Sequence, residues 1–365
     1  MRVPRDVWAT IISLENLRCA AKVTLRCGRR FKGDGAAFQF NFERNILRLQ
    51  RDLSRGAYRH GRYQVFTVHE PKTRRILAAP LRDRIVHHAV HDVIEPFFDR
   101  GFIFDSYACR SGKGYHHALH RAQRFLQSNR FFLHLDVKRY FPSISHTILK
   151  GLLRRGIADV NVLGLLDHII DSSVYCPGLG AAERRQSSTQ LELFAAGPSE
   201  VRGLPIGNLT SQFFANLYLN ELDQFVKHTL KCRAYLRYMD DFVLFSNDRN
   251  ELKSWQRSVV ELCRHKLQLE LHEKGGVKRR GEGLGFLGFR IFVRHKLLKG
   301  DAVVRFSRCA RQRARQVSSS STARKLYQEG WRSWAAHARY GDTHGLLLHL
   351  RERHRTVQNE RTDCI

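Results

Sequence analysis

Acid is scarce in this chain of 365 residues. Only 34 Asp and Glu stand against 63 Lys and Arg, for a formal net charge of +29. A solvated surface needs no such excess, and a polyanionic partner is its simplest explanation. Long apolar runs are missing as well. No segment approaches the ~18 continuous apolar residues of a spanning helix. The start, Met1-Arg2-Val3-Pro4-Arg5-Asp6, lacks the apolar stretch of a secretory signal. Both absences argue against a membrane and predict a cytosolic protein. The eight cysteines are scattered, with no CxxC pair, so neither a zinc ribbon nor a disulfide framework is suggested. His87 and His91 lie four apart, as do His116 and His120, and each pair could share a helix face. No glutamate or cysteine at ligand-like spacing completes the set of about four that a closed zinc site needs. Internal repeats and coiled-coil heptads are also absent.

The 42% hydrophobic content supports a real core, in one large or two to three modest domains. Residues 1–62 read as mostly helical and basic, with Phe38, Phe40 and Phe42 as a strand-like start running into a helix. Alternation in Tyr63-Gln64-Val65-Phe66-Thr67-Val68, punctuated by Pro71 and Pro80, predicts strands and turns over 63–80. Helical spacing covers 81–98, with Pro96 and its neighbours ending it. Ser145 is placed to cap a helix near 146–155, and residues 176–203 read as a surface loop or insertion, partly disordered. Helices follow near 210–230 and 250–268. Leu284-Gly285-Phe286-Leu287-Gly288-Phe289-Arg290-Ile291 reads as a turn and strand pair. Between Arg305 and Arg355 twelve Lys and Arg face three acids, Glu329, Asp342 and Glu352, with Tyr327, Trp331, Trp334 and Tyr340 interleaved. Salt-bridge pairing cannot account for so one-signed a stretch, and we read it as a helical module that grips a phosphate backbone.

The chemistry concentrates in acids on strand ends. Tyr238-Met239-Asp240-Asp241 lies between the apolar runs 234–237 and 242–245, so two adjacent carboxylates sit at the tip of a predicted hairpin. Like charges that close resist joint ionisation unless a cation lies between them. A third acid ends the strand Phe131-Phe132-Leu133-His134-Leu135-Asp136. Three carboxylates in a strongly basic chain suggest divalent metals acting on a nucleic-acid phosphate. Hard Mg²⁺ prefers carboxylate oxygen, and phosphoryl transfer to a 3′-hydroxyl uses two such ions about 3.5–4 Å apart.

The order of these motifs resembles the reverse transcriptases from about Pro71 to Ile291. Tyr238-Met239-Asp240-Asp241 looks like their catalytic hairpin, and Leu135-Asp136-Val137-Lys138-Arg139-Tyr140-Phe141 like their first metal-binding strand. Residues 75–86 and Ser106-Tyr107-Ala108-Cys109-Arg110-Ser111-Gly112-Lys113-Gly114 resemble fingers motifs of the bacterial branch. Phe286-Leu287-Gly288-Phe289 is similar to the primer grip. The resemblance implies an α+β right-hand polymerase fold. It would comprise a basic N-terminal extension and fingers (1–106), a palm segment (107–142), further fingers and palm helices with an insertion (143–203), the rest of the palm (204–293) and a basic helical thumb (294–365). It implies two Mg²⁺ ions on Asp136, Asp240 and Asp241, with the Val137 carbonyl as a further ligand, and dNTP substrates. Lys72 and Arg75 would clamp the triphosphate, and Phe141, five residues after Asp136, would be the steric gate against a ribose 2′-hydroxyl. Lys274 is a possible contact to the leaving pyrophosphate. Arg110, Gly288, Arg311, Arg313 and Arg315 would contact the template RNA or the cDNA and primer strand.

One departure narrows the branch. Residues 203–212 read Gly-Leu-Pro-Ile-Gly-Asn-Leu-Thr-Ser-Gln. Most reverse transcriptases place glutamine immediately before the second glycine and proline after the serine; here Ile206 precedes Gly207 and Gln212 follows Ser211. This pattern is similar to the enzymes of diversity-generating retroelements, bacterial or phage-encoded. Those copy a template-repeat RNA with errors opposite adenine and usually act with a small basic oligomeric accessory protein. Ile206 offers no hydrogen bond to the nascent pair, so discrimination would rest more on shape. No second acidic cluster suggests RNase H, and no HNH-like pattern appears. The competing readings are a retron or phage-defence reverse transcriptase and a non-catalytic RNA-binding protein on the same fold.

Overall fold

A computed structural model of the chain describes residues 3–4, 6–69, 73–175, 201–272, 276–316 and 321–359. Among the described residues ten strands form three antiparallel sheets. A two-stranded hairpin pairs β1 (Gln64–Val68) with β2 (Arg74–Ala78). The central sheet runs β4 (Tyr235–Tyr238), β5 (Asp241–Ser246), β3 (Phe131–Val137), β6 (Leu271–His272), and β7 (Lys278–Arg279) also pairs with β3. A three-stranded meander joins β8 (Leu284–Phe286), β9 (Phe289–Ile291) and β10 (Lys296–Leu298). Fourteen α-helices surround them among the described residues: α1 (Val7–Ile11), α2 (Leu14–Thr24), α3 (Gly33–Phe40), α4 (Phe42–Ser54), α5 (Leu81–Asp99), α6 (Tyr115–Ser128), α7 (Tyr140–Ser143), α8 (His146–Gly156), α9 (Val160–Asp171), α10 (Leu209–Gln224), α11 (Arg249–His265), α12 (Gly300–Gln316), α13 (Ser321–Ala338) and α14 (His344–Asn359). The architecture is α+β, as the resemblance implied.

Strand alternation gives the central sheet two unlike faces. Leu133, Leu135 and Val137 of β3, with Phe242 and Leu244 of β5, point into the larger core with α5, α8 and α10. Phe132 and the β5 residues Val243 and Phe245 point the other way. They pack against Ala118, Leu119, Ala122 and Leu126 of α6 and against Leu284, Phe286, Phe289 and Ile291 of the meander. His134 and Asp136 share the parity of Phe132, so they lie on this second face.

Several expected elements take shape for the expected reasons. Ser145 accepts from the Ile148 amide at 3.3 Å and starts α8, as its side-chain oxygen suggested. The helices near 210–230 and 250–268 are present as α10, prolonged by a π turn over Phe225–Thr229, and α11. One expectation needs correction. Phe38, Phe40 and Phe42 do not open a strand; they straddle the junction of α3 and α4 at Asn41. Their alternation is a coincidence of that break, since Phe38 and Phe42 meet edge to face (6.1 Å) while Phe40 is 88% exposed. The helix read over 81–98 is α5, which ends at Asp99, three residues past Pro96. A proline three residues from a helix end removes one amide donor and leaves only a short stub beyond it. Most of the expected loop at 176–203 lies outside the described residues.

Candidate active site

The hairpin joining β4 to β5 has a two-residue turn, Met239–Asp240, closed by the pair Tyr238↔Asp241. On the far side of β5, the β3 register sets Asp136 directly opposite Asp241. The Val137 amide donates to the Asp240 carbonyl at 3.2 Å, tying the turn to the end of β3. Asp136, Asp240 and Asp241 are each half-buried. Directly opposed residues of an antiparallel pair hold their Cβ atoms about 4.5–5.5 Å apart. Backbone pairing alone therefore brings two of the acids side by side and the third one residue away.

Among the described residues no group of three or more His, Cys, Asp or Glu side chains is gathered as a metal cage. The donor set nevertheless fits magnesium, which is usually held by one or two carboxylates together with waters and substrate phosphates. It does not fit zinc at the histidine pairs. His87 is buried with neither ring nitrogen hydrogen-bonded, while His116 stacks on Tyr340.

His134, two residues before Asp136 on the same strand face, sets its Nε2 2.5 Å from Asp241 Oδ1. That nitrogen carries the hydrogen and the carboxylate accepts. The ring also meets Phe286 of β8 edge to face at 6.0 Å. Beneath the hairpin, Arg237 and Asp223 are both fully buried and paired. Burial alone would lower the Arg237 pKa, but the Asp223 carboxylate outweighs it and the net direction is upward. Sequence reading missed these residues. The available signals were an arginine inside the apolar strand Tyr235-Leu236-Arg237-Tyr238, which must find a buried partner, and a histidine at the i−2 position of a strand-end acid.

The residues expected around an incoming nucleotide are linked by the main chain. Phe141 on α7 is half-buried, and its carbonyl accepts from the Leu204 amide at 2.9 Å. Two residues on, the Ile206 carbonyl accepts from the Leu77 amide of β2 at 3.1 Å. Asn208 clamps the same strand, donating to the Leu77 carbonyl (3.1 Å) and accepting from the Ala79 amide (3.3 Å). Gly207 has φ +112, and a Cβ there would lie 2.8 Å from Ile76 Cγ2, so glycine serves both the backbone conformation and the close approach. Gln212, half-buried, lies in the first turn of α10. Arg75 is exposed on β2 opposite Thr67. Phe141, Ile206, Gly207 and the Arg75 strand thus form one continuous seam.

Other expected residues are placed differently. Arg110 is not a free cation for nucleic acid. Its guanidinium donates to Asp99, to the Ile103 carbonyl (2.7 Å) and to the Ser106 carbonyl (3.0 Å), with its side chain 6% exposed. Its donors are engaged inside the protein. Leu287 (φ +47) and Gly288 (φ +81) form the turn between β8 and β9. The Tyr115 hydroxyl donates to the Leu287 carbonyl and lies 3.3 Å from His337 Nε2 of α13. Burial first, then Tyr238, pushes the Tyr115 pKa upward, so it stays a donor. Arg311 and Arg313 are exposed on α12, and Arg311 lines a cleft of about 790 Å³ with Arg308, Leu346 and His349. Lys72, Lys274 and the insertion at 180–200 lie outside the described residues, as does the Arg315 side chain.

The α+β architecture and acid-bearing antiparallel strands define a class, the right-hand nucleic-acid polymerases. The profile of the family described as "Reverse transcriptase (RNA-dependent DNA polymerase)" matches residues 69–291. That is more than half of the chain, and the chain belongs to this family. Its similarity to protein YkfC of Escherichia coli K12 is 27% identity over 326 residues, covering 76% of this chain and 80% of YkfC. To the group II intron-encoded protein LtrA of Lactococcus lactis it is 24% identity over 318 residues, covering 69% of this chain and half of LtrA. To the putative COX1/OXI3 intron 2 protein of Saccharomyces cerevisiae it is 19% identity, covering 71% of this chain and 36% of that protein. Among the described residues no helix is long and apolar enough to cross a membrane.

Proposed function

We propose that this reverse transcriptase extends a DNA primer on template RNA at the carboxylates Asp136, Asp240 and Asp241, and that it is the mutagenic polymerase of a diversity-generating retroelement. The observation that carries the catalytic part is the strand register: Asp136 opposite Asp241, with the Asp240 carbonyl held by the Val137 amide. Asp136 and Asp240, with the Val137 carbonyl, would hold two Mg²⁺ ions; Asp241, already accepting from His134, completes the anionic pocket. Bound magnesium supplies a lowered pKa at the primer 3′-hydroxyl and charge stabilisation for the triphosphate. The chain's own groups orient the reactants. Arg75, with Lys72, receives the triphosphate oxygens, for which a planar fork and a point charge both suit. Phe141 is the steric gate against a ribose 2′-hydroxyl, and the Ile206–Gly207 seam lies beside the nascent base pair. The β8–β9 turn and the basic C-terminal helices carry the primer and template backbones.

The mutagenic part rests on Ile206 beside Gly207 and Gln212 after Ser211. An apolar branched side chain can neither donate to nor accept from the pair. A small basic accessory protein is the partner this reading expects, in a bacterial or phage-encoded cytoplasmic system. The likeness to intron-encoded proteins favours a second reading, an intron-type reverse transcriptase of ordinary fidelity.

Primer extension on RNA, followed by product sequencing, separates these. Asp240→Asn is expected to abolish extension and leave RNA binding intact; an extending Asp240→Asn enzyme would overturn the catalytic assignment. Ile206→Gln is expected to lower misincorporation opposite template adenine. An unchanged error spectrum would remove Ile206 as the cause, and a wild-type product with few errors opposite adenine would favour the intron-type reading.

A further inference from the structure

A fully buried arginine in a sheet is an expensive choice, because removing a guanidinium from water is repaid only when its donors find partners. Arg237 is 0% exposed, and so is Asp223 on α10. Its Nε donates to Asp223 Oδ1 at 2.8 Å and Nη2 donates to Asp223 Oδ2 at 2.6 Å, a two-armed pairing. Nη1 faces the opposite way. It donates to Asn216 Oδ1 at 3.1 Å and to the main-chain carbonyl of Met239 at 2.9 Å. The partners are themselves fixed. Tyr235 donates to Asp223 Oδ1 at 2.7 Å, and Asn216 donates to the Ala108 carbonyl at 2.7 Å. The Arg237 backbone is pinned on the outer edge of β4, its amide donating to Asp105 (2.9 Å) and its carbonyl accepting from Tyr107 (3.0 Å).

Met239 is the residue that needs holding. It occupies the first position of the two-residue turn with φ +57, where hairpins favour glycine and a side chain is strained. Strained residues persist only when surrounding contacts over-determine them. The next residue is Asp240, so the peptide plane fixed by Arg237 also sets the direction in which that carboxylate leaves the chain.

We propose that Arg237, clamped by Asp223 and Asn216, is a positioning residue that fixes the Met239–Asp240 turn and so sets the aim of the Asp240 carboxylate. The guanidinium touches no reacting atom; it acts through the Met239 carbonyl. This inference rests on the reading that Asp240 is catalytic.

Single removal of either charge would leave the other buried and unpaired, so the test uses the paired variant Arg237→Met/Asp223→Leu and, separately, Arg237→Lys. Lysine keeps a charge opposite Asp223 but lacks the planar fork that serves Asp223 and Met239 at once. Each is made with Met239 and with the Met239→Gly substitution, which accepts φ +57 without strain. Primer extension gives kcat and KM for the nucleotide, and thermal unfolding reports the fold. In folded variants we expect kcat to fall at least tenfold with KM changed less than threefold, and Met239→Gly to restore kcat at least threefold. Equal losses in both backgrounds, unchanged kcat, or loss of fold in every variant would overturn the proposal and leave the network a purely structural one. Asp240→Asn run alongside separates the two levels. If it extends primers, the reading of Asp240 is wrong; if it is dead while the folded Arg237 variants keep full kcat, the positioning inference alone is wrong.

Discussion

Acid should destabilise this protein through one buried histidine. His87 on α5 is 1% exposed, its ring stacked on His60 at 5.3 Å, and neither of its nitrogens has a hydrogen-bond partner. Burial first, then the neighbouring His60 and His88, lowers its pKa from 6.5 to about 3. The folded state therefore refuses a proton that the unfolded chain accepts below pH 6.5. Between pH 6.5 and about 3 the unfolded state binds more protons, and stability falls as pH falls. Each unit of pH in that interval removes about 1.4 kcal/mol, so about 3 kcal/mol is lost by pH 4.5. Replacing His87 by leucine deletes the site. Thermal unfolding of wild type and His87→Leu at pH 7.5, 6.5, 5.5 and 4.5 isolates the effect, because other titrating groups cancel in the difference. Relative to wild type, His87→Leu should gain about 3 kcal/mol of stability as pH falls from 6.5 to 4.5. Curves that stay parallel across the series, or a His87 resonance titrating near 6.5, would refute the reasoning.

Two further outcomes concern the β8–β9 turn and α12. Tyr115→Phe removes the donor to the Leu287 carbonyl, worth about 1 kcal/mol; it should loosen the β8–β9 turn and reduce the nucleotides added per binding event, read in a single-cycle extension with a trap. Arg311→Glu with Arg313→Glu, both exposed on α12, should flatten the dependence of log K on log salt by about 1.4–1.8, since each lost phosphate contact contributes about 0.7–0.9. An unchanged slope would remove α12 from the nucleic-acid path.

What could be read from the chain before any coordinates follows from how far each signal reaches. Strand alternation around Asp136 and the Tyr-Met-Asp-Asp hairpin are local, and a two-residue turn leaves few registers, so those acids were legible. Helices with capping serines and one-sided apolar spacing were legible for the same reason. Phe38, Phe40 and Phe42 misled because a period of two over three residues also arises where two helices abut, and only tertiary packing decides. Arg110 misled because a motif arginine beside glycines looks solvent-facing until Asp99, eleven residues upstream, is folded against it. His134 and Arg237 lay in plain view, yet their partners are 107 and 14 residues away in the chain, and no periodicity encodes such contacts.

That distance carries a consequence for the site. Only Asp240 and Asp241 are adjacent in the chain; Asp136 meets them through the β3–β5 register, and the side chains that contact the hairpin come from elsewhere: a histidine from the neighbouring strand and an arginine–aspartate pair shared between β4 and α10. Local signals thus mark the candidate acids, while their mutual placement depends on long-range pairs, His134 with Asp241 across the sheet and Arg237 with Asp223 where the sheet docks on α10. Replacing Asp223, more than a dozen residues from Asp240 in sequence, together with Arg237 (Arg237→Met/Asp223→Leu) is therefore expected to lower primer extension in a folded protein through residues that no motif would select.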